Sequence, residues 1–142
     1  MKKRILLLFI LLILTGCNVH PKEEKKDSKE VIQTVKAIIN EKEYEVQLEN
    51  NQTVNDFVAI LPKEFSMKEL NGNEKYIYLD QSLSTNSSNP GQILAGDVML
   101  YGDNCLVIFY ESFDTSYSYT KIGHIEHLPN LGDGDIQVKF EK

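Results

Sequence analysis

From Glu43 to Glu49 the chain alternates one for one: Tyr44, Val46 and Leu48 on one side, Glu43, Glu45, Gln47 and Glu49 on the other. Successive side chains of an extended strand point to opposite faces, so this segment reads as a strand with one face in a core and one in water. The C-terminal stretch DIQVKFEK repeats the pattern through Ile136, Val138 and Phe140. Ahead of the first strand, VIQTVKAII forms another candidate, joined to it by the short hairpin turn NEKE. Asn71-Gly72 lies between two further candidates in LNGNEKYIYL, and such a pair readily takes the left-handed backbone that tight hairpin turns require. YGDNC folds DVMLY against CLVIFY, and SFDTS reverses the chain before YSYTKIGHI.

One stretch leaves the period of two. In TVNDFVAILP, Val54, Phe57, Val58 and Leu61 have the spacing of one helix face. Thr53 is placed to cap it, Asp56 to sit in its first turn and Pro62 to end it, giving a helix of about two turns. CLVIFY is apolar on both faces, which calls for a core on one side and a covering element on the other. Residues 81–96 read as a long polar loop. The fold class is therefore mostly β, with about eight strands and one short helix. These close into a small eight-stranded barrel if the terminal strands pair and hide their edges. The helix would then cover one mouth and bury Phe57 and Leu61.

The N-terminus does not share that pattern. Lys2, Lys3 and Arg4 precede an unbroken apolar run, Ile5 to Leu14, and then Thr-Gly-Cys. As a helix that run covers about 15 Å of a hydrocarbon layer roughly 30 Å thick, so it reads as a secretory signal and not as a span. LTGC, residues 14–17, resembles the bacterial lipobox. The resemblance implies that Cys17 receives a diacylglycerol and becomes the first residue after cleavage, and several acyl chains make a stable anchor. NVHPKEEKKDSKE, residues 18–30, reads as a solvated tether. The expected organisation is a signal over residues 1–16, the lipidated cysteine and charged tether over 17–30, and the barrel domain over 31–142.

Cleavage changes the charge. Lys and Arg fall from fifteen to twelve while the twenty-one Asp and Glu remain, so the formal net charge moves from −6 to −9. An acidic exterior excludes nucleic acid as a partner and keeps the body of the domain off an anionic bilayer. The expected location is the cell membrane, lipid-anchored, facing outside the cytoplasm at the cell surface or in a periplasm. With Cys17 acylated, Cys105 is the remaining thiol. It opens an apolar strand with no base beside it, and reads as a buried hydrophobe.

AGDVMLYGDNCLVIFYESF followed by SYSYTKIGHI, with the earlier LNGNEKYIYL and the helix ending in LP, resembles the bacterial cyclophilin-like domain family over about residues 34–140. The resemblance implies a cyclophilin-type eight-stranded barrel with a concave outer face, where true cyclophilins bind a proline-containing peptide. The activity does not follow from the barrel. Prolyl isomerisation meets a barrier of about 18–20 kcal/mol from amide resonance. True cyclophilins lower it with an arginine that hydrogen-bonds around the proline nitrogen, beside a Phe-lined pocket. Here the one arginine, Arg4, leaves with the signal, the chain has no tryptophan, and the family's Gly-Ser-Gln-Phe-Phe-like stretch is absent. Lysine lacks the planar fork of a guanidinium. The expectation is a non-catalytic binding or accessory domain for an extended peptide or another envelope component. The rival reading is a weak or atypical prolyl cis–trans isomerase assisting secreted proteins.

Phe113, Tyr117 and Tyr119 are the candidate ligand-binding residues. They lie round one reversal, with Tyr117 and Tyr119 on one face of their strand, and tyrosine offers a flat apolar body with a polar tip. The same alternation serves cross-strand packing that needs no ligand. No catalytic residue and no cofactor is expected. His124 and His127 are three apart on a strand and so point to opposite faces, and a zinc site wants a third or fourth ligand, so no metal is expected. GDGD, Gly132 to Asp135, and YGDN place carboxylates in glycine turns without the ligand spacing of a calcium loop.

Overall fold

The structure, a computed structural model, describes residues 33–142. The expected signal, Cys17 and the tether lie outside the described residues. The chain runs β1 (Thr34–Ile39), β2 (Lys42–Leu48), α1 (Gln52–Ala59), β3 (Lys63–Leu70), β4 (Glu74–Tyr78) and β5 (Gln92–Ile93). It continues through β6 (Asp97–Tyr101), β7 (Cys105–Phe109), β8 (Phe113–Asp114), β9 (Thr120–Ile125) and β10 (Ile136–Glu141). Eight strands close a barrel in the order β1-β10-β3-β4-β7-β6-β9-β2, all neighbours antiparallel. The terminal strands pair, Ala37 facing Phe140, as edge-hiding requires. β5 and β8 form a separate two-stranded ribbon, Ile93 opposite Phe113, so the stretch expected to be wholly loop contains a strand.

The alternation is realised where it was cleanest. Val46 on β2 and Ile136, Val138 and Phe140 on β10 are buried, and their neighbours face water. α1 covers the core with Phe57, whose ring meets Phe140 edge-on at 5.2 Å and 81°, and Leu61 is buried after it. Burying a side chain of this size contributes about 2 kcal/mol. The helix cap differs from expectation. Asn51, in extended backbone, accepts the Val54 N–H at 2.9 Å and donates to the Lys121 carbonyl at 2.9 Å, tying the helix to β9. Thr53 therefore lies inside the first turn, buried, and donates its hydroxyl to the Ser84 carbonyl at 2.6 Å. Asp56 falls beyond that turn and accepts the Ser84 N–H at 2.7 Å.

β7 is buried on both faces. Leu106 and Ile108 enter the barrel core, while Cys105, Val107 and Phe109 join a second cluster with Ile93, Met99 and Tyr119. The covering element is the β5–β8 ribbon together with the residues flanking it. Ser88 and Tyr119 exchange backbone hydrogen bonds of 2.9 and 3.0 Å, which holds this layer against the start of β9.

Candidate functional site

The second layer stops short of β4, and the gap is a concavity of about 370 Å³ on the outside of the barrel. Its floor comes from three neighbouring strands. β4 supplies Glu74, Tyr76 and Tyr78, β7 supplies Cys105 and Val107, and β6 supplies Tyr101. Register sets them in rows: Tyr76 faces Val107, and Tyr78 and Tyr101 both face Cys105. One wall is the β3–β4 hairpin, through Leu70, Asn71 and Asn73; the other is the segment carrying Phe113, Tyr117 and Tyr119.

The three aromatic residues singled out in the sequence thus border one hollow, but not by sharing a strand face. β9 begins only at Thr120, Tyr119 sits in the isolated bridge to Ser88, and Tyr117 lies in the irregular segment between β8 and that bridge. Tyr117 is 62% exposed and Tyr119 only 8%. Tyr101 joins them, with ring centroids 6.1 Å from Tyr117 and 5.6 Å from Tyr119. Phe109 backs the group, 5.5 Å from Phe113 and 5.6 Å from Tyr119. Packing and surface roles divide along this set: Tyr119 is held in the covering layer, and Tyr117 and Tyr101 stay exposed. Among the described residues five large apolar side chains are exposed, and four of them, Leu70, Tyr78, Tyr101 and Tyr117, line this hollow.

Glu74 is the one carboxylate on the lining, which contains no Lys, Arg or His. Burial, with the nearby charge of Glu69, raises its pKa above the ordinary carboxylate value. Burial and the Glu74 charge push the Cys105 thiol up to about 11, so it stays protonated at neutral pH and unsuited to attack. Burial likewise raises the Tyr119 phenol.

Directly behind this wall lies a polar cluster that no sequence pattern announced. Lys75 is fully buried, pointing into the barrel, and its ammonium donates to Glu69, to the Gly132 carbonyl at 2.6 Å and to the Gly134 carbonyl at 2.7 Å. The Tyr110 hydroxyl donates to Glu69 at 2.8 Å, and the Gly72 N–H does so at 2.7 Å. Burial works to raise the Glu69 pKa, but the bonds from Lys75, Tyr110 and Gly72 hold it below its usual value. Burial and the bond to Glu69 push Tyr110 well up. The GDGD turn accordingly folds over a buried cation and gives it two carbonyls. A paired register, Glu69 opposite Lys75, is the signal that could have found this cluster.

The remaining sequence candidates are dispersed. His124 Nδ1 lies 2.9 Å from Oδ1 of the buried Asp97, which also accepts the Leu94 N–H at 2.9 Å, so this pair fastens the covering loop to β9. His127 is exposed in the turn after β9. Among the described residues no group of three His, Cys, Asp or Glu side chains is placed to hold a metal ion.

Residues 37–141 match the family model described as "Cyclophilin-like family", and residues 1–18 match that described as "Prokaryotic membrane lipoprotein lipid attachment site". No curated protein and no solved structure matches the chain.

Proposed function

Because this chain belongs to the cyclophilin-like family and is a membrane-anchored lipoprotein, we propose that it is a non-catalytic binding domain that holds an extended peptide at the outer concavity of its barrel. In this reading Cys17, inside the span that matches the lipid attachment site, carries the lipid, and residues 18–30 link it to a barrel that faces away from the cytoplasm. The ligand or envelope component lies across Phe113, Tyr117 and Tyr119 together with Tyr78 and Tyr101.

The observation that carries this reading is the gathering into one hollow of four of the five large apolar side chains exposed among the described residues. Contiguous apolar surface of this kind costs solubility unless it serves an interaction. The chemistry on the lining is suited to gripping and poor at turnover. Its polar side chains are acceptors, amides or phenols, whereas true cyclophilins ease rotation of the prolyl amide with a guanidinium, whose planar fork lysine lacks. The sole arginine of the chain is Arg4.

Isotope-labelled lipoprotein in detergent micelles, titrated with a panel of extended and proline-containing peptides, tests the proposal. Chemical-shift changes should concentrate on Tyr78, Tyr101, Tyr117 and Phe113, and a protease-coupled assay should show no gain in cis–trans exchange. Acceleration that is lost on Tyr117→Ala would establish the isomerase reading instead.

A further inference from the structure

The concavity has a charge asymmetry that a generic peptide site does not use. Glu74 projects from the outer face of β4 into a lining without a cation. Among the described residues none of the ion pairs involves it. The adjacent cation, Lys75, points to the other side of the sheet and gives its ammonium to Glu69, Gly132 and Gly134. Next to Glu74 on the same wall, the Asn73 side-chain oxygen is buried with no hydrogen-bond partner. A half-buried carboxylate without a donor, as Glu74 is, is a standing cost that a donor-bearing ligand offsets.

Around these acceptors stand Tyr76, Tyr78, Tyr101 and Tyr117. Aromatic faces carry negative potential and attract cations, by about 0.5–2 kcal/mol per contact depending on desolvation. The formal charge of residues 17–142, −9, adds a long-range pull in the same direction.

We propose that the concavity recognises a basic side chain of the peptide, the ammonium of lysine or the guanidinium of arginine, seated against the tyrosine faces and hydrogen-bonded to Glu74. The inference rests on the peptide-binding reading and names the residue type that reading leaves open. A neutral side chain would leave Glu74 unpaired in a partly desolvated wall. A quaternary ammonium would satisfy the aromatic faces but has no N–H to give the carboxylate, so a basic peptide is the better match than a choline headgroup.

The test uses the full lipoprotein in detergent and one extended peptide in four versions, with arginine, citrulline, lysine or acetyl-lysine at the centre, and phosphocholine as a separate arm. The charged peptides should bind at least tenfold tighter than their neutral counterparts, a comparison that needs no variant. Glu74→Gln should abolish that ratio by weakening the charged peptides to the affinity of their neutral counterparts. Equal affinity for charged and neutral peptides, or a ratio that survives Glu74→Gln, overturns the inference and leaves the peptide site standing. Phosphocholine that displaces the basic peptides and binds more tightly than they do also overturns it. Absence of binding by every peptide defeats the peptide site itself.

Discussion

The barrel contains two hairpins that begin alike and end with opposite faces. β1 and β2 are joined by Asn40 and Glu41, both left-handed, with Ile39 directly opposite Lys42. β3 and β4 are joined by Asn71 and Gly72, also left-handed, but Asn73 follows, and Leu70 pairs with Glu74. In the first hairpin Val35, Ala37 and Val46 enter the core while Lys42, Glu43 and Glu45 face water. In the second, β3 sends Phe65 and Met67 inward with Glu69, so β4 sends Lys75 and Ile77 inward and turns Glu74, Tyr76 and Tyr78 out. Cross-strand partners share a face, so pairing Leu70 with Glu74, and not with Asn73, sets which side of β4 is out; a slip of one residue in that register would exchange its faces, because strand side chains alternate with a period of two. The register at this turn thus decides that two tyrosines build a surface hollow and a lysine becomes core.

Inserting one residue between Lys75 and Tyr76 is the harshest way to break the comparison. It asks either Tyr76 and Tyr78 to enter the barrel or Lys75 to leave it, and cooperative urea unfolding should be lost or weakened by more than about 4 kcal/mol. An unchanged midpoint would show that the register does not set the face. Next in size is Lys75→Met, which strips Glu69 of its cation and two loop carbonyls of their donor. Breaking a buried pair in this way should cost about 3 kcal/mol, and adding Glu69→Leu should recover much of it, since an apolar replacement of the whole pair is often neutral.

A smaller effect sharpens the same contrast through pH. The Glu69 pKa is held below its unfolded value of 4.5, so the stability it contributes is present above that pH and is lost as pH falls through the folded value. Denaturation midpoints of the native protein should therefore drop more steeply below pH 4.5 than those of the Lys75→Met, Glu69→Leu variant. Glu74 has the opposite sign, because its folded pKa is raised. Glu74→Gln should be neutral or slightly stabilising at pH 7, by under about 0.5 kcal/mol given solvent screening, and the difference should vanish below pH 4.5. A clear loss of stability at pH 7 would mean that Glu74 has a structural partner.

Much of the barrel was legible in the chain. The alternation of β2 and β10, the two-faced apolar run of β7 and the helix α1 each follow from local patterns, and the terminal pairing from the need to hide strand edges. The hollow was half legible. Phe113, Tyr117 and Tyr119 do border it, but through an irregular segment and an isolated bridge to Ser88, a pairing across about thirty residues that no local period records. Glu74, Tyr76 and Tyr78 went unseen because Asn-Gly marks where a hairpin turns and not how many residues the turn takes. The same ambiguity hid Lys75. Its burial is tolerable only with Glu69 from the next strand and carbonyls of Gly132 and Gly134 from a distant loop, a combination that exists only once the barrel has closed. The helix cap moved for a simpler reason: Asn51 and Thr53 are both good caps, and contact with β9 selects Asn51.

The outward turn of the β4 tyrosines and the inward turn of its lysine are two views of one fact, and lysine acylation reads it directly. Brief treatment of the folded lipoprotein with acetic anhydride, followed by peptide mass spectrometry, should modify the exposed Lys68 and Lys42 and leave Lys75 unmodified until the protein is unfolded. Acetylation of Lys75 at the rate of Lys68 in the folded protein would put the lysine outside, the tyrosines inside, and remove the hollow on which the binding proposal stands.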